Sequence, residues 1–523
     1  MVPIVGTSTK ERQAYGRHLG WVAAIVGSLT FTGCYLRNFV FPHVPIMLWT
    51  DQILYATNGL RIVAGQMPYR DYFEFLPPGT DLIYALLFRC FGVSLWIPNL
   101  LMDVLATIVA LLTTLAGCRI LRGASVVLPA IFLLGFGLYG GLDATHHWFS
   151  TVVALAAMIV LLHGIQVRHI VWAGILCGVM ASFTQSKGAV VTLGFVVYLI
   201  WWSIQQRESA RTRWVRCLLL CGSAFVSFVL INMHYMVKLG IMEWCRWIVI
   251  FPFRYYPTMP GQNWRSPMLE FQSHAGLLKW FCAAFLYIAV PLIYMSFLWV
   301  MRRKRRAEPD QPWEQLLLVA IIGIAMFLAV VPSLSIMRAS AVSPPATILL
   351  AWLLEHAGRT LRWVSGAAAA LSMACALYLA VNTQRMHWNY LNLPAGRTAI
   401  LDPAKYDLYR WMKEHTHPGQ AYLGIAPLSF PLRLETPGPI QSPGPWEYYR
   451  PEHIARSIGA LESNRIPLLV LRSSSQFQNT AGYEPEHIRP FLEYVGSHYR
   501  RTKSFSTGDE VWERIADEPP AKH

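Results

Sequence analysis

Residues 275–306 read AGLLKWFCAAFLYIAVPLIYMSFLWVMRRKRR, a long apolar run without an acid, closed by Arg302, Arg303, Lys304, Arg305 and Arg306. A helix needs roughly 20 mostly apolar residues to cross a bilayer. A basic cluster directly after one marks the cytoplasmic side. The stretch therefore predicts a span whose C-terminal end lies in the cytoplasm. Working outward, comparable runs fall near 18–36, 94–117, 125–142, 149–165, 170–184, 188–204, 214–237, 314–332, 341–356 and 362–381, so about eleven transmembrane helices are expected. The first follows Lys10, Arg12 and Arg17 and reads as a signal anchor rather than a cleaved peptide. Arg119 with Arg122, Arg168, Arg207 to Arg216, and Arg359 with Arg362 then share one side with the 302–306 run and the N-terminus. The outer side receives 37–93, 143–148, 185–187, 238–274, 333–340 and everything after about 382. Pro77 to Gly92 is apolar but short, and it carries Asp81 and Arg89. Counting it as a span would place the 302–306 run outside, so it is read as a helix along the membrane surface.

Composition agrees with this class. Of 523 residues, 54% are hydrophobic and 14% charged, where soluble domains carry about 25% charged residues. The net charge of +15 belongs almost wholly to residues 1–384, which hold only 14 of the 29 acids. Residues 385–523 balance 16 Lys and Arg against 15 Asp and Glu. The basic residues sit in short loops between apolar runs, which removes the basis for a nucleic-acid partner. All nine cysteines precede residue 385, with no CxxC and no Cys/His cluster; they read as packing residues rather than a zinc site or disulfide framework. The expected organisation is a polytopic α-helical membrane module over 1–384 and a small soluble α/β domain over 385–523 on the outer face. In that domain, Asp402 and Pro403 open a helix to about Glu414. Ala421–Ile425, Pro467–Leu471 and Glu510–Ile515 read as strands, and helices are expected near 451–463 and 485–496.

The first outer loop carries the chemistry. It contains Trp49-Thr50-Asp51-Gln52 and then Gly65-Gln66-Met67-Pro68-Tyr69-Arg70-Asp71-Tyr72-Phe73-Glu74-Phe75-Leu76-Pro77-Pro78-Gly79. A mere connection would be short, yet this loop runs for about 57 residues with Asp51, Asp71, Glu74 and Asp81 in it. Carboxylates beside a bilayer are unfavourable unless they meet water, a partner or a cation. Desolvation there raises a carboxylate pKa, which suits a general base. The plainer reading is that Arg61 and Arg70 pair with Asp71 and Glu74 to hold the loop. Asp51 is expected where the first span leaves the membrane.

The acid after the first span, the G-x-x-P-Y-R-D-x-x-x-x-x-P-P-G stretch and the helix ending in Phe91-Gly92 resemble the GT-C superfamily. These are integral-membrane glycosyltransferases that use lipid-linked sugars. The resemblance is nearest to glycosyltransferase family 39, the aminoarabinose transferases and protein O-mannosyltransferases, and covers about residues 15–300. It implies that Asp51 is the catalytic base or a metal holder. Many relatives carry two adjacent acids there, whereas this chain has Asp51-Gln52, which favours a base working alone. No cofactor is required by any motif, and a divalent cation is the one the resemblance leaves open.

Other outer-side residues complete the set. His146 and His147 begin a span; adjacent helical positions lie about 100° apart, a poor arrangement for one shared metal. Hydrogen bonding to sugar or phosphate and a plain helix-cap role are equally compatible with them. Lys187 stands alone between two spans and either snorkels or captures a phosphate. Arg254, next to Tyr255 in an aromatic loop, and Arg338 are further phosphate candidates, while the aromatics there also suit an interfacial belt. Tyr69 and Arg70 join Asp71 and Glu74 as candidate substrate contacts.

The expected activity is transfer of a sugar from a polyprenyl-phosphate donor to an envelope lipid, glycan or protein. It is placed at the outer face of a bacterial inner membrane, among membrane lipids, and inversion is implied by the resemblance. A transporter or flippase of lipid-linked sugars is the alternative; such proteins place charged sites near the bilayer midplane, where Asp103 is the acid lying well inside a predicted span.

Overall fold

The computed structural model describes residues 9–48, 51–140, 142–254, 276–356, 359–440, 450–472 and 488–515. The chain forms two compact units. One comprises Met1–Asn38, Leu100–His234 and Asn263–Arg385; the other comprises Phe39–Asn99, Tyr235–Gln262 and Met386–His523.

The first unit is helical. Its elements are α1 (Thr9–Asn38), with most of a helix that begins at Trp96, and then shorter and longer apolar helices in turn. Among the described residues, six helices are long and apolar enough to cross a membrane: Trp96–Gly117, Gln185–Gln205, Ala210–Leu239, Leu277–Lys304, Trp313–Ser333 and Trp363–Arg385. Ile336–Val342 and Pro344–His356, bent by 61°, make a seventh if counted as one broken span. Gly123–Gly137, His146–Leu162 and Val167–Ala181 are apolar but shorter. The last two have 17 and 15 residues, below the length that crosses the hydrocarbon without tilt or thinning. Length and apolarity therefore support six or seven of the eleven expected spans.

Small residues set the spacing in this unit. A Cβ on Gly174 would lie 2.0 Å from Ser223 Oγ, and one on Gly178 would lie 2.3 Å from the Ala224 carbonyl. Helices 167–181 and 210–239 thus approach through a glycine pair four residues apart, the small-residue contact that substitutes for a hydrophobic drive inside lipid. Ser227 Oγ donates to the Ile175 carbonyl at 3.0 Å across the same contact. Asp103, in the span beginning at Trp96, is fully buried and accepts from Asn38 Nδ2 at 2.7 Å. It therefore fastens two helices.

The second unit begins with a short hairpin, β1 (Phe39–Val40) and β2 (Val44–Pro45). Two helices of 13 residues follow: α2 (Asp51–Val63) and α3 (Gly79–Phe91). The surface helix expected over Pro77 to Gly92 corresponds to α3, whereas α2 occupies a stretch the sequence leaves as loop. After Met386 come the hairpin β3 (Asn389–Leu393) and β4 (Gly396–Ile400), then α4 (Pro403–His415), β5 (Leu423–Gly424), α5 (Pro451–Ser463), β6 (Leu468–Arg472), α6 (Arg489–His498), β7 (Tyr499–Ser504) and β8 (Asp509–Arg514). Among the described residues, β5, β6, β8 and β7 form one sheet in that order, parallel between β5 and β6 and antiparallel elsewhere. Its core packs Leu423, Leu469 and Leu471 against Ile454, Leu461 and Phe491.

This C-terminal segment is bonded to the 39–99 segment through the backbone. Met47 N donates to Ala399 O, Leu95 N to Ala395 O and Phe73 N to Pro439 O, each at 2.9 Å. The first outer loop and the tail are one body. Within it, α2 and α3 meet at Gly59, where a Cβ would stand 2.6 Å from Tyr84 Cβ and 3.0 Å from Ala85 N. Gly59→Val is expected to destabilise the protein by about 1–3 kcal/mol through overpacking, read as a lowered Tm in detergent; an unchanged Tm would mean the two helices can part freely.

Candidate active site and phosphate pocket

Asp51 is the first residue of α2 and is half-buried. In the chain, the β1–β2 hairpin comes between α1 and α2. The next residue, Gln52, is fully buried, and its Nε2 donates to Asn99 Oδ1 at 3.2 Å; Asn99 in turn donates to Ile46 O at 2.9 Å. Gln52 thus fixes the start of α2 and is turned to structure rather than to solvent.

Seven residues, close to two helical turns, separate Asp51 from Asn58, so both share one face of α2 about 10.5 Å apart along the axis. Asn58 is buried, and its Nδ2 lies 3.1 Å from Glu74 Oε2 and 3.2 Å from Asp81 Oδ2. Glu74 Oε1 also accepts from the backbone of Phe75 and Leu76, at 2.8 and 3.0 Å. Asp81 is 1% exposed, receives the Tyr72 hydroxyl at 3.5 Å, and has no hydrogen bond to its Oδ1 among the described residues. Burial holds Asp81 protonated well above the usual carboxylate range, and the neighbouring Glu74 charge adds to that. Glu74 retains some exposed surface, yet lost hydration pushes it up to about 6 against the lowering effect of its backbone donors.

The remaining loop residues are held by their surroundings. Arg61, buried, donates to Gln66 Oε1 at 2.7 Å and to Gly438 O at 2.8 Å and lies 4.6 Å from the Tyr72 ring centroid. Asp71 accepts from Met67 N at 2.7 Å and pairs with the exposed Arg70 at 2.6 Å, and the Arg70 hydrogen bond is the main reason its carboxyl stays below the usual range. Arg70 and Asp71 therefore realise the plain loop-holding arrangement, while Glu74 pairs with neither arginine. Tyr69 has φ of 68°, a left-handed conformation a non-glycine residue adopts at some strain, and its hydroxyl donates to Leu76 O at 2.6 Å.

The first unit gathers a different set. His146 and His147 open helix 146–162 with ring centroids 3.8 Å apart. Both ring nitrogens of the buried His147 lack hydrogen bonds among the described residues. Lys187 does not snorkel: it is 1% exposed, and its Nζ donates to His147 O at 3.0 Å and lies 3.4 Å from Thr151 Oγ1. Arg338 donates to Ser333 O at 2.6 Å and is near enough to act electrostatically on both histidines and on Lys187. Lys187, Arg338, the histidine pair and the N-terminal turns of two helices lie near one another, a set that can attract an anion. Asp143, three residues before His146 and also buried, belongs to the same stretch. Asp143, Asn58, Arg61 and Asp81 carry little sequence signal as site residues; the signal for Asp143 is an acid just ahead of His146-His147.

Arg254 falls in the other unit, exposed at the end of segment 241–254. Tyr255, like Asn263, Trp264 and Arg265, lies outside the described residues. Among the described residues, no group of three or more His, Cys, Asp or Glu side chains could hold a metal ion. A metal bridging two adjacent acids would find Gln52 already bound to Asn99.

Comparison with known proteins places the fold. The chain is similar in structure to the ArnT of Cupriavidus metallidurans bound to undecaprenyl phosphate, with a TM-score of 0.59 and 15% identity, over 96% of this chain and 98% of that one. It is also similar to the archaeal oligosaccharyltransferase AglB of Archaeoglobus fulgidus, in complex with an inhibitory peptide and a dolichol-phosphate: TM-score 0.53, 13% identity, over 96% of this chain and 75% of that one. No protein-family profile matches the sequence, and no curated protein is similar to it. At these identities the likeness is one of fold. The chain shares the fold of these two proteins, and several of its helices are long and apolar enough to cross a membrane.

The raised Glu74 pKa has a measurable consequence. The folded protein binds this proton more tightly than the unfolded chain, so the associated stability is complete below pH 4.5 and is lost as pH rises through about 6. The loss amounts to about 2 kcal/mol. Glu74→Gln is expected to flatten the Tm-against-pH curve over that interval; an unaltered curve would place the titration elsewhere.

Proposed function

We propose that the protein transfers a sugar from a polyprenyl-phosphate donor to an acceptor at the outer face of the membrane. The observation that carries this reading is the gathering of Lys187, Arg338 and the histidine pair in the helical unit, in a fold shared with a protein bound to undecaprenyl phosphate. Burial of Lys187 costs its charged form hydration, and the phosphate of a lipid carrier would offset that cost. Asp51 takes the proton of an acceptor hydroxyl or amine. The acceptor atom bonds to the anomeric carbon as the bond from that carbon to phosphate oxygen breaks, with inversion. Polyprenyl phosphate leaves with the electron pair, and Lys187 and Arg338 stabilise the charge that develops on it. Glu74, Tyr69 and Arg61 shape the loop that carries the base. Asp51 works alone, with Gln52 committed to Asn99, so chelation of divalent cations is expected to leave transfer unchanged.

The proposed topology has the N-terminus in the cytoplasm and residues 385–523 outside. Its eleven spans comprise the six long helices, the bent pair, the three shorter apolar helices and α1. The sugar is a hexose or pentose, and the acceptor an envelope lipid, glycan or protein. Transport of the lipid-linked sugar is not favoured: Asp103, the acid within a span, is engaged by Asn38.

Purified protein in nanodiscs, given a polyprenyl-phosphate sugar and membrane extract, tests the division of labour. Asp51→Asn is expected to lower transfer by about 10²–10⁴-fold while carrier binding persists. Lys187→Met is expected to weaken polyprenyl-phosphate binding roughly ten-fold, the loss of one charge-assisted contact. Transfer at wild-type rate in Asp51→Asn would remove the base; unaltered carrier affinity in Lys187→Met would remove the pocket.

A further inference from the structure

Segment 241–254 follows the span Ala210–Leu239 after a single residue, Gly240, whose φ of 85° lets the chain turn sharply. Consecutive Cα atoms are about 3.8 Å apart, so Ile241 begins within about 8 Å of the end of a membrane helix. The segment is continuous helix: Ile241–Cys245, a π-helical turn Arg246–Ile250, and Phe251–Arg254.

Both of its faces are apolar. Trp244, Trp247, Ile248 and Phe251 are buried, and Phe73 packs on Trp247 and Phe251 with centroids 5.8 and 5.1 Å apart. Trp247 also meets His453 of α5 at 5.2 Å. The opposite face leaves Met242 81% and Phe253 84% exposed, together with Ile241, Val249 and Ile250. An apolar stripe of this kind needs a cover, and its attachment to a span supplies one: the membrane interface.

Behind the stripe lies a cavity of about 330 Å³. Its lining includes Arg246, Arg254, Arg450, Glu243 and Glu452, and the Arg246 guanidinium lies 5.4 Å from the Trp247 ring centroid. Arg246 engages both carboxylates, at 3.6 and 3.3 Å. The cavity therefore carries one positive charge in excess, with carboxylate oxygens that can accept from a hydroxyl. A phosphodiester bears one negative charge. A hydroxylated head group supplies the donors, and acyl chains would leave over Met242 and Phe253.

We propose that this cavity binds the head group of an anionic glycerophospholipid of the surrounding membrane, with 241–254 lying in the interface as its anchor. The site is distinct from the Lys187–Arg338 pocket and does not depend on the transfer reaction. A bound lipid would touch the segment that packs on Phe73 of the first outer loop and on His453 of α5.

Native mass spectrometry of the full chain released from nanodiscs tests this directly. Nanodiscs of phosphatidylcholine alone are compared with nanodiscs that also contain phosphatidylglycerol. The wild type is expected to retain phosphatidylglycerol and not phosphatidylcholine. Arg450→Gln is expected to lower retention roughly ten-fold, and Phe253→Ser, at an exposed position, to lower it while leaving Tm unchanged. If Arg450→Gln does not fold, the lipid comparison on the wild type and Phe253→Ser decide the matter. Equal retention of both lipids overturns the proposal. Displacement by glycerol 3-phosphate at lipid-like concentration shows a site for a soluble phosphate and overturns it too. Displacement by equimolar polyprenyl phosphate returns the cavity to the carrier and likewise overturns it.

Discussion

One amide holds the reactive loop in place. Asn58 stands on α2 and donates toward Glu74 of the connecting loop and Asp81 of α3 at once. Two buried carboxylates cannot both ionise so close together without repulsion; Asp81 stays protonated and Glu74 titrates near 6. Remove the amide and the loop loses the donor common to both acids. Because Asn58 and Asp51 share a face of one short helix, this buried bridge fixes the orientation of the proposed base two turns away. Gln52 fixes the near end of the same helix through Asn99, and Arg61 fixes the far end through the Gly438 carbonyl. The C-terminal segment thereby takes part in presenting Asp51.

Much of this organisation was legible in the sequence, for reasons that can be named. Membrane helices announce themselves by apolar length, and the Arg302–Arg306 run by charge. In the tail, Pro403 at a first helical position marks a helix start that the structure places at the same residue. α2 was not legible: its Asn58-Gly59 pair is a turn signal in isolation. Both residues are there for tertiary reasons, a buried double donor and a close contact with Tyr84. β7 was missed because Tyr499–Ser504 presents one buried residue and then five exposed ones, leaving no alternation to read. Its exposed Arg500, Arg501 and Lys503 suit a sheet edge that must not pair further. The Arg70–Asp71 pair was legible because it is local, whereas the Glu74–Asn58 contact spans 16 residues and was not.

The site residues sort into kinds once placed. Asp51 and Glu74 belong to a body built from the first outer loop and the tail. Lys187, Arg338, His146 and His147 belong to the helical unit, where Lys187 is buried by its own helix contacts instead of reaching for solvent.

The central claim is that a polyprenyl-phosphate sugar is consumed and that Asp51 is required for its consumption. The most direct measurement is the cellular pool of such lipids by mass spectrometry in wild-type, deletion and Asp51→Asn strains. The account predicts one polyprenyl-phosphate sugar accumulating to the same extent in the deletion and the point variant. Unchanged pools, with the Asp51→Asn protein inserted at wild-type level, would contradict it.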